Sequence, residues 1–300
     1  MRAAAILGLG CSPKDLRPFQ SEKGVEWMMG VPVAGEVVDV VLVLGGDGTV
    51  HRHLAQLVRW GLPVLVVPAG SGNDFAGSLG LRRVRNSLEA WRKFCGGVGG
   101  VRAENVRAID LGVIVPLESV GGTPAPHTAR YFCCVAGVGL DGEVSERANR
   151  LPRWLRGHGG YVLSLAPSIF SFAPLPMKVS TAQDDRAGWT TRSDQPTILA
   201  AFANTPVYGG GMKIAPRAKM DDGLLDVCIV GAVDPFKFFC MFPTVYAGRH
   251  LSIREVSYFQ ESRVRVETEH PVDVYADGEY VCRTPVELGV HKAALMVVGA

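Results

Sequence analysis

The stretch Val41-Leu42-Val43-Leu44-Gly45-Gly46-Asp47-Gly48-Thr49 decides how this chain folds at its start. An apolar run stops at two glycines, an aspartate and a third glycine, and a helix-like segment follows from His51 to Trp60. Glycines let main-chain N–H groups approach an anion, and the start of a helix adds a favourable potential there. The stretch therefore predicts a strand, a phosphate-binding turn and a helix, with Asp47 facing a bridging Mg²⁺ or a hydroxyl group.

A second turn of the same kind follows one strand later. Pro63-Val64-Leu65-Val66-Val67 has the pattern of a short buried strand, and Gly70-Ser71-Gly72-Asn73-Asp74-Phe75-Ala76 comes shortly after it. The carboxyl ends of adjacent parallel strands face one crevice, which is where open α/β sheets bind ligands. Each turn alone could be a tight connection, but the pair favours a nucleotide site.

Composition limits the classes of protein that the chain can belong to. Its 300 residues suit two domains, and a hydrophobic content of 47% is ample for two cores. A net charge of +2 gives no footprint for nucleic acid. The seven cysteines show no metal spacing, so we expect buried free thiols and a cytoplasmic protein. The short apolar N-terminal run is predicted to be a first strand rather than a signal.

The order of elements predicts an α/β part followed by a β-rich part. Strands near 3–8, 37–44, 63–67 and 107–115 alternate with helices near 49–60, 73–79 and 84–95, which indicates a parallel sheet. The remainder is strand-rich, with helices near 158–172 and 234–247, and predicts an antiparallel β-sandwich. We expect an α/β nucleotide-binding domain over residues 1–108 and a β-rich domain over 109–290, and leave open whether 291–300 return to the first domain.

Six motifs in this order resemble the diacylglycerol kinase catalytic-domain superfamily, which includes bacterial lipid kinases and sphingosine kinases. Besides the two turns they are Ile109-Asp110-Leu111-Gly112, Ala203-Asn204-Thr205 with Gly209-Gly210-Gly211, Ala215-Pro216 to Asp226, and Val274-Tyr275-Ala276-Asp277-Gly278-Glu279. The resemblance implies an ATP-dependent lipid kinase, with the active site in the cleft between the two domains. It also implies a lipid acceptor such as diacylglycerol or a sphingoid-like base.

The resemblance assigns roles to individual residues. It makes Glu279 the general base that takes the proton from the lipid hydroxyl, with Asp277 assisting and Asp110 supporting the same network. Residues expected to hold Mg²⁺-ATP are Gly45, Gly46, Asp47, Gly48, Thr49, Gly70, Ser71, Gly72, Asn73 and Asp74. A simpler interpretation of Asn73 and Asp74 is that they cap a helix.

The resemblance also places a structural Mg²⁺ at Lys219-Met220-Asp221-Asp222-Gly223-Leu224. The ligands would be Asp222 and the backbone oxygens of Lys219 and Leu224. From the residues alone this is an acidic turn before a strand, which binds a cation when its oxygens converge and is otherwise solvated.

The chain departs from the family near its start. An Asn-Pro-x-Ser-Gly-like phosphate turn is replaced by Gly8-Leu9-Gly10-Cys11-Ser12-Pro13, which leaves Ser12 and the Gly10 N–H as weak substitutes. His51-Arg52 stands where the family often has Asn-Glu. Two alternatives therefore stay open: a soluble NAD kinase-like enzyme, which shares the first turn, and a nucleotide- or lipid-binding regulator without catalysis.

Partner predictions concern lipid surfaces and self-association. The aromatic run Phe236-Lys237-Phe238-Phe239-Cys240-Met241-Phe242 is either core or a lipid entry surface. Arg147, Arg150, Arg153 and Arg156 near Trp154 are either a solvated face or a dock for anionic lipid. We expect a lipid substrate, peripheral contact with the inner membrane surface and no nucleic-acid partner, and leave a homodimer open.

Overall fold

A computed structural model describes residues 1–33, 36–97, 104–117, 129–150, 167–182 and 188–300 of the chain. The chain divides into two compact units. Unit 1 contains residues 1–110 and 292–300, and unit 2 contains residues 111–291. The chain therefore leaves unit 1 once and returns to it at its end.

Unit 1 is built on a parallel sheet with helices. Its strands pair in the order β2 (Glu26–Met29), β1 (Arg2–Leu7), β3 (Val40–Gly45), β4 (Val64–Pro68) and the last part of β15 (Val286–Val298). Its helices are α1 (Pro13–Leu16), α2 (Asp47–Trp60), α3 (Asp74–Ser78) and α4 (Val84–Gly96), with a 3₁₀ turn at Phe19–Ser21. The pairings between these strands are parallel, so β3 and β4 end at the same edge of the sheet.

Burial explains why these segments fold as they do. Every residue of β3 and β4 is buried, which is typical of the central strands of a parallel sheet. Helix α2 buries Val50, Leu54 and Leu57, which share one face at the helical spacing. The helix ends at Gly61, whose left-handed conformation suits glycine at this position. This sheet and α2 together fix where the first glycine turn lies.

Unit 2 is an antiparallel β structure. Its main path runs β14 (Glu279–Arg283), β13 (Asp273–Ala276), β7 (Val135–Gly139), β9 (Thr190–Ala203), β8 (Leu175–Ala182), β12 (Arg263–Thr268) and the first part of β15. β9 also pairs with β10 (Leu225–Gly231), β10 pairs with β11 (Val256–Glu261), and β5 (Val106–Pro116) pairs with β6 (Arg130–Phe132). One hydrophobic core, including Phe132, Phe202, Val227 and Leu288, lies among these strands.

Over the described residues of unit 2, the helical elements are α5 (Leu140–Arg150), a segment at 167–171, α6 (Pro235–Met241) and 3₁₀ turns at Phe242–Val245 and His250–Ser252. Asp234 caps α6, because its carboxylate accepts the N–H groups of Phe236 and Lys237, both at 3.0 Å. In the part of the chain that the structure describes, no helix is long and apolar enough to cross a membrane.

The predicted fold class, an α/β part followed by a β-rich part, is confirmed, while several element boundaries were wrong. The single strand predicted from Tyr131 to Val138 is two strands, because Cys133 and Cys134 donate their N–H groups to a side chain instead of a neighbouring strand. Helix α5 was not predicted, and the helix predicted near 234–247 is α6 followed by a 3₁₀ turn. The helix predicted near 158–172 lies largely outside the described residues, and its end is helical at 167–171.

Candidate active site

The two glycine turns of unit 1 touch each other through their backbones. A Cβ atom on Gly70 would lie 2.4 Å from the Cα of Gly46, and one on Gly46 would lie 2.8 Å from the Cα of Gly70. Real Cβ atoms essentially never come this close to backbone, so only glycine fits at either position. The prediction that the two turns lie together at the carboxyl ends of adjacent parallel strands is confirmed, since they follow β3 and β4.

Asp47 holds the second turn onto the first. Its two carboxylate oxygens accept the backbone N–H groups of Asp74 and Phe75, each at 3.0 Å. These charge-assisted bonds also satisfy N–H groups at the start of α3. Asp47 is thus first of all a structural residue, and it is only partly buried. Its predicted contact with Mg²⁺ stays a prediction.

Asn73 shapes the second turn from within. Its side-chain Oδ1 accepts the Gly70 N–H at 2.8 Å, and its Nδ2 donates to the Gly70 carbonyl at 2.7 Å. The residue stands in the left-handed region with φ 55°, which asparagine tolerates better than most. Asn73 occupies the position that precedes α3 but makes no side-chain capping bond. Ser71 and Gly72 are exposed between these anchors, and Asp74 is half-buried.

Thr49 lies against two glycines. A Cβ atom on Gly45 would be 2.6 Å from Thr49 Oγ1, and one on Gly8 would be 2.5 Å from the same atom. The Thr49 hydroxyl is therefore next to the end of β1 as well as the end of β3. A side chain at position 8 would collide with Thr49, which explains why glycine follows β1, where the resemblance predicts a phosphate turn of different sequence.

Ser12 is engaged with an acidic neighbour. Its N–H and its hydroxyl both donate to Asp15 Oδ2, at 2.7 and 3.0 Å, and these bonds hold the pKa of Asp15 below its ordinary value. A carboxylate at this position disfavours a second anion beside Ser12. Ser12 is therefore a poor substitute for the missing phosphate turn.

Asp110 is buried in unit 1, at 6% exposure, and binds the returning C-terminal strand. Its Oδ1 accepts the N–H of Ala293 at 2.7 Å. Ala293 has a φ of 51°, an unfavourable conformation for alanine that the bond to Asp110 stabilises. The structure thus gives Asp110 a clear anchoring role, and its predicted part in the catalytic network stays a prediction.

In unit 2 the predicted hairpin forms, and Asp277 fixes it. Asp277 and Gly278 both have positive φ, 52° and 83°, between the paired residues Ala276 and Glu279, which is a two-residue turn of type I′. The Asp277 carboxylate accepts the N–H groups of Cys133, Cys134 and Val135 at 2.8, 2.8 and 3.3 Å. Asp277 is therefore a clamp on the start of β7.

Asn204 completes the same cluster from another strand. Its Nδ2 donates to the Cys133 carbonyl at 2.9 Å, and its own N–H donates to the Cys134 carbonyl at 2.8 Å. Asn204 is fully buried at the end of β9. Two of the motifs in unit 2, far apart in sequence, thus meet at the Cys133-Cys134 bend, and Glu279 is the exposed first residue of β14 beside this cluster.

The acidic turn at residues 219–224 is solvent-exposed at Asp222. Asp222 Oδ1 accepts the Leu224 N–H at 3.1 Å, and the described residues contain no group of three His, Cys, Asp or Glu side chains that could hold a metal. An ion here would rest on one carboxylate, backbone oxygens and water, which is a set that Mg²⁺ accepts. The turn therefore fits a weakly held ion.

Asp226 follows this turn and is fully buried in β10. It accepts hydrogen bonds from the hydroxyl of Tyr258 and from Nε2 of Gln260, the latter at 3.1 Å. Burial raises the pKa of Asp226, and the nearby charge of Asp222 acts in the same direction, while the two hydrogen bonds lower it. The carboxyl group stabilises β11 against β10 rather than facing a ligand.

An apolar cavity in unit 2 was missed by the sequence analysis. Its lining residues come from α5, β9, α6 and the segments around them, and include Leu140, Val144, Met212, Phe238 and Met241. The cavity has a volume of about 60 Å³. The cavity is narrow, but flexible methionine side chains line it and can adapt to an occupant.

Two buried ionisable residues, Asp141 and His250, also line this cavity. His250 Nε2 lies 3.0 Å from the Ile214 carbonyl, so Nε2 carries the proton and donates. Burial lowers the pKa of His250, and Nδ1 is a buried atom with no hydrogen bond to any residue that the structure describes. No local sequence pattern indicates these two residues, because the carbonyl that fixes His250 belongs to Ile214, 36 positions earlier.

Two family models match the chain. Residues 20–112 match the diacylglycerol kinase catalytic domain, and residues 134–299 match the YegS C-terminal NAD kinase beta sandwich-like domain. A diacylglycerol kinase of Mycobacterium tuberculosis is 34% identical over 87% of this chain and 76% of its own length. A diacylglycerol kinase of Bacillus subtilis is 25% identical over 83% of this chain and 74% of its own length.

Solved structures agree at the level of the fold. A crystal structure of a diacylglycerol kinase from Bacillus anthracis aligns with a TM-score of 0.65 and 18% identity, over 100% of this chain and 97% of that one. An NAD kinase from Archaeoglobus fulgidus in complex with ATP aligns with a TM-score of 0.51 and 16% identity, over 99% and 92% of the two chains. The shared fold does not by itself distinguish the two activities.

Proposed function

We propose, from the premise that this chain belongs to the diacylglycerol kinase family, that it transfers the γ-phosphate of ATP to a hydroxyl group of a lipid. The family membership makes the chain a phosphotransferase with an alcohol acceptor. The observation that carries the nucleotide part of the proposal is the contact between the two glycine turns, which leaves exposed backbone beside Asp47 and Asp74.

The glycine turns are suited to bind the phosphates of ATP. Ser71 and Gly72 are exposed between two anchored ends, so their N–H groups are held in place without side chains covering them. Asp47 and Asp74 would hold Mg²⁺, which neutralises phosphate charge when bound. Because the two turns are fixed by backbone contact, their donors need no reorganisation when the nucleotide arrives.

Glu279 is the proposed general base. It is exposed at the end of a hairpin whose turn is clamped by Asp277, so its carboxylate is held near one position while it can still reach a substrate. Asp277, with its carboxylate on three backbone N–H groups, is better described as a positioning residue than as a second base. Asp110 is proposed to act in the same indirect way in unit 1.

The acceptor is proposed to be a lipid, with part of its chain in the cavity of unit 2. The lining is almost entirely aliphatic and aromatic, and burying such surface favours a hydrocarbon chain by roughly 25 cal/mol per Å². Diacylglycerol is the first acceptor to test, because relatives carry that name, and a sphingoid-like base is the second. The structural Mg²⁺ proposed at Lys219, Asp222 and Leu224 would rigidify the turn before β10.

Incubation of the purified chain with γ-labelled ATP, Mg²⁺ and a total lipid extract tests the proposal. We expect label in the lipid fraction and none in a parallel reaction with NAD. Substituting Glu279→Gln should lower kcat by a factor of about 10² to 10⁴ and leave ATP affinity unchanged. The matched control is Glu269→Gln, at an exposed glutamate of the same unit.

Three results would refute this assignment. They are label in NAD instead of lipid, ATP binding without transfer to any lipid in the extract, and full activity of the Glu279→Gln variant. The first would favour the NAD kinase-like alternative and the second a regulator without catalysis.

A further inference from the structure

Three phenylalanines form an exposed cluster on unit 2, which we call the aromatic face: Phe170, Phe236 and Phe239. They are 57%, 68% and 46% exposed. The rings of Phe170 and Phe239 contact each other with centroids 5.9 Å apart, and Phe236 lies one helical turn before Phe239 on the same side of α6. Clustered aromatic side chains in water are unfavourable and typically mark an interaction surface.

The helix that carries this face has a second apolar side. Phe238 and Met241, followed by Phe242 and Val245 in the adjoining 3₁₀ turn, line the cavity described above. These positions are spaced to share one side, opposite Phe236 and Phe239. Helix α6 is thus a single layer of side chains and backbone between the cavity and the aromatic face.

We propose that the aromatic face inserts into the surface of a phospholipid bilayer, so that α6 lies between the membrane and the acceptor cavity. The proposal rests on the lipid kinase function, since a cavity that takes a lipid chain must be loaded from a membrane. Short helices with exposed aromatic residues bind at the depth of the headgroup and acyl boundary. The continuity of α6 with the cavity favours a bilayer over a protein partner.

The charges beside the face indicate what kind of bilayer contact this is. Lys237 pairs with Glu255 at 2.5 Å, and Arg147 pairs with Glu143 at 2.6 Å and donates to Ser171 beside Phe170. Both cations are therefore largely neutralised by carboxylates. Arg153, Trp154 and Arg156 of the predicted basic patch lie outside the described residues, as does the side chain of Arg150. Among the residues that the structure describes, the face offers apolar side chains and paired cations, so we expect binding that does not require anionic lipid.

Co-sedimentation of the full chain with phosphatidylcholine vesicles, without ATP, tests this inference. We expect the chain to bind such uncharged vesicles at high salt, and the double variant Phe236→Ser and Phe239→Ser to bind at least about tenfold more weakly. The matched control is Val84→Ser, because Val84 is an apolar residue of unit 1 whose exposure, 42%, is similar. All three substituted side chains are exposed, so folding should be retained.

A second measurement separates this inference from the lipid kinase function. Phosphorylation of dioctanoylglycerol dispersed as monomers should be unchanged in the double variant, while phosphorylation of a long-chain diacylglycerol in vesicles should fall in parallel with binding. Vesicle binding that depends on the phenylalanines would support the docking even if no lipid were phosphorylated. Equal binding by the double variant, or binding seen only with anionic lipid, would overturn it.

Discussion

Replacing Gly70 by alanine is the sharpest test of how the two glycine turns cooperate. The new Cβ would lie 2.4 Å from the Cα and 2.8 Å from the N of Gly46, both of which are backbone atoms. An ordinary carbon contact needs about 3.5 to 4.0 Å, so the turns must separate by about 1 Å. A displacement of that size at a reacting centre can reduce the rate by about 10²-fold, and the overpacking costs about 1–3 kcal/mol of stability.

Gly77 provides the matched control for this substitution. It lies in α3, seven positions further along, and a Cβ there would meet nothing within 4 Å. Gly77→Ala should therefore keep ATP affinity and gain up to about 1 kcal/mol of stability, since alanine is the better helix former. The assays are the rate of phosphate transfer, titration calorimetry with Mg²⁺-ATP and urea unfolding, each applied to both variants. Unchanged ATP affinity in Gly70→Ala would show that contact between the turns is not needed for the nucleotide site.

Three side chains of unit 2, Asp277, His250 and Asp226, can each be tested by substitution. Asp277→Asn should lower the free energy of unfolding in urea by about 1.5–3 kcal/mol, because three backbone N–H groups lose an ionised acceptor. The control Asp273→Asn removes an exposed ion pair with Arg283 and should cost less than about 1 kcal/mol. Equal losses in the two variants would contradict the role of Asp277 as a clamp. Burial lowers the pKa of His250 below 6.5, so the unfolded chain binds its proton first and stability should fall as the pH drops below that value. The melting temperature should therefore fall between pH 7.5 and 5, and His250→Gln should remove that fall. A melting temperature that falls equally in the variant would show that His250 is not its cause. Burial raises the pKa of Asp226 above 3.8, so just above that pH the folded chain keeps a proton that the unfolded chain has lost. Stability should therefore decrease as the pH rises through this range, and Asp226→Asn should remove that decrease. Tyr258→Phe removes a hydrogen bond that lowers the pKa of Asp226, so this variant should make stability depend more steeply on pH. If Asp226→Asn leaves the pH dependence of stability unchanged, Asp226 is not the group responsible for it.

The parts of this protein that could be predicted from sequence are those with a local cause. Buried parallel strands give unbroken apolar runs, and turns that need backbone close to backbone require glycine, so β3, β4 and their turns were found correctly. The hairpin at Asp277-Gly278 was predicted for the same reason, because a type I′ turn needs two residues with positive φ.

The parts that were missed depend on contacts between distant segments. Asp277 accepts the N–H of Cys133, which lies 144 positions earlier in the sequence. No local pattern around Cys133 predicts that its backbone N–H bonds to the Asp277 side chain. The cavity is assembled from apolar residues of several elements, each of which alone resembles ordinary core. Whether Asp47, Asp74 and Glu279 serve one reaction stays a prediction for the experiments above.

The division of unit 1 in the sequence has a consequence for how the chain is made. Residues 111–291 are continuous, so the whole of unit 2 is synthesised while unit 1 still lacks residues 292–300. The strand that pairs Val297 with Val64, and the peptide of Ala293 that Asp110 binds, are synthesised only after the whole of unit 2. A nascent chain stalled before residue 292 should therefore expose the edge of β4, and unit 1 should reach its full stability only once residues 292–300 are available to pair with it.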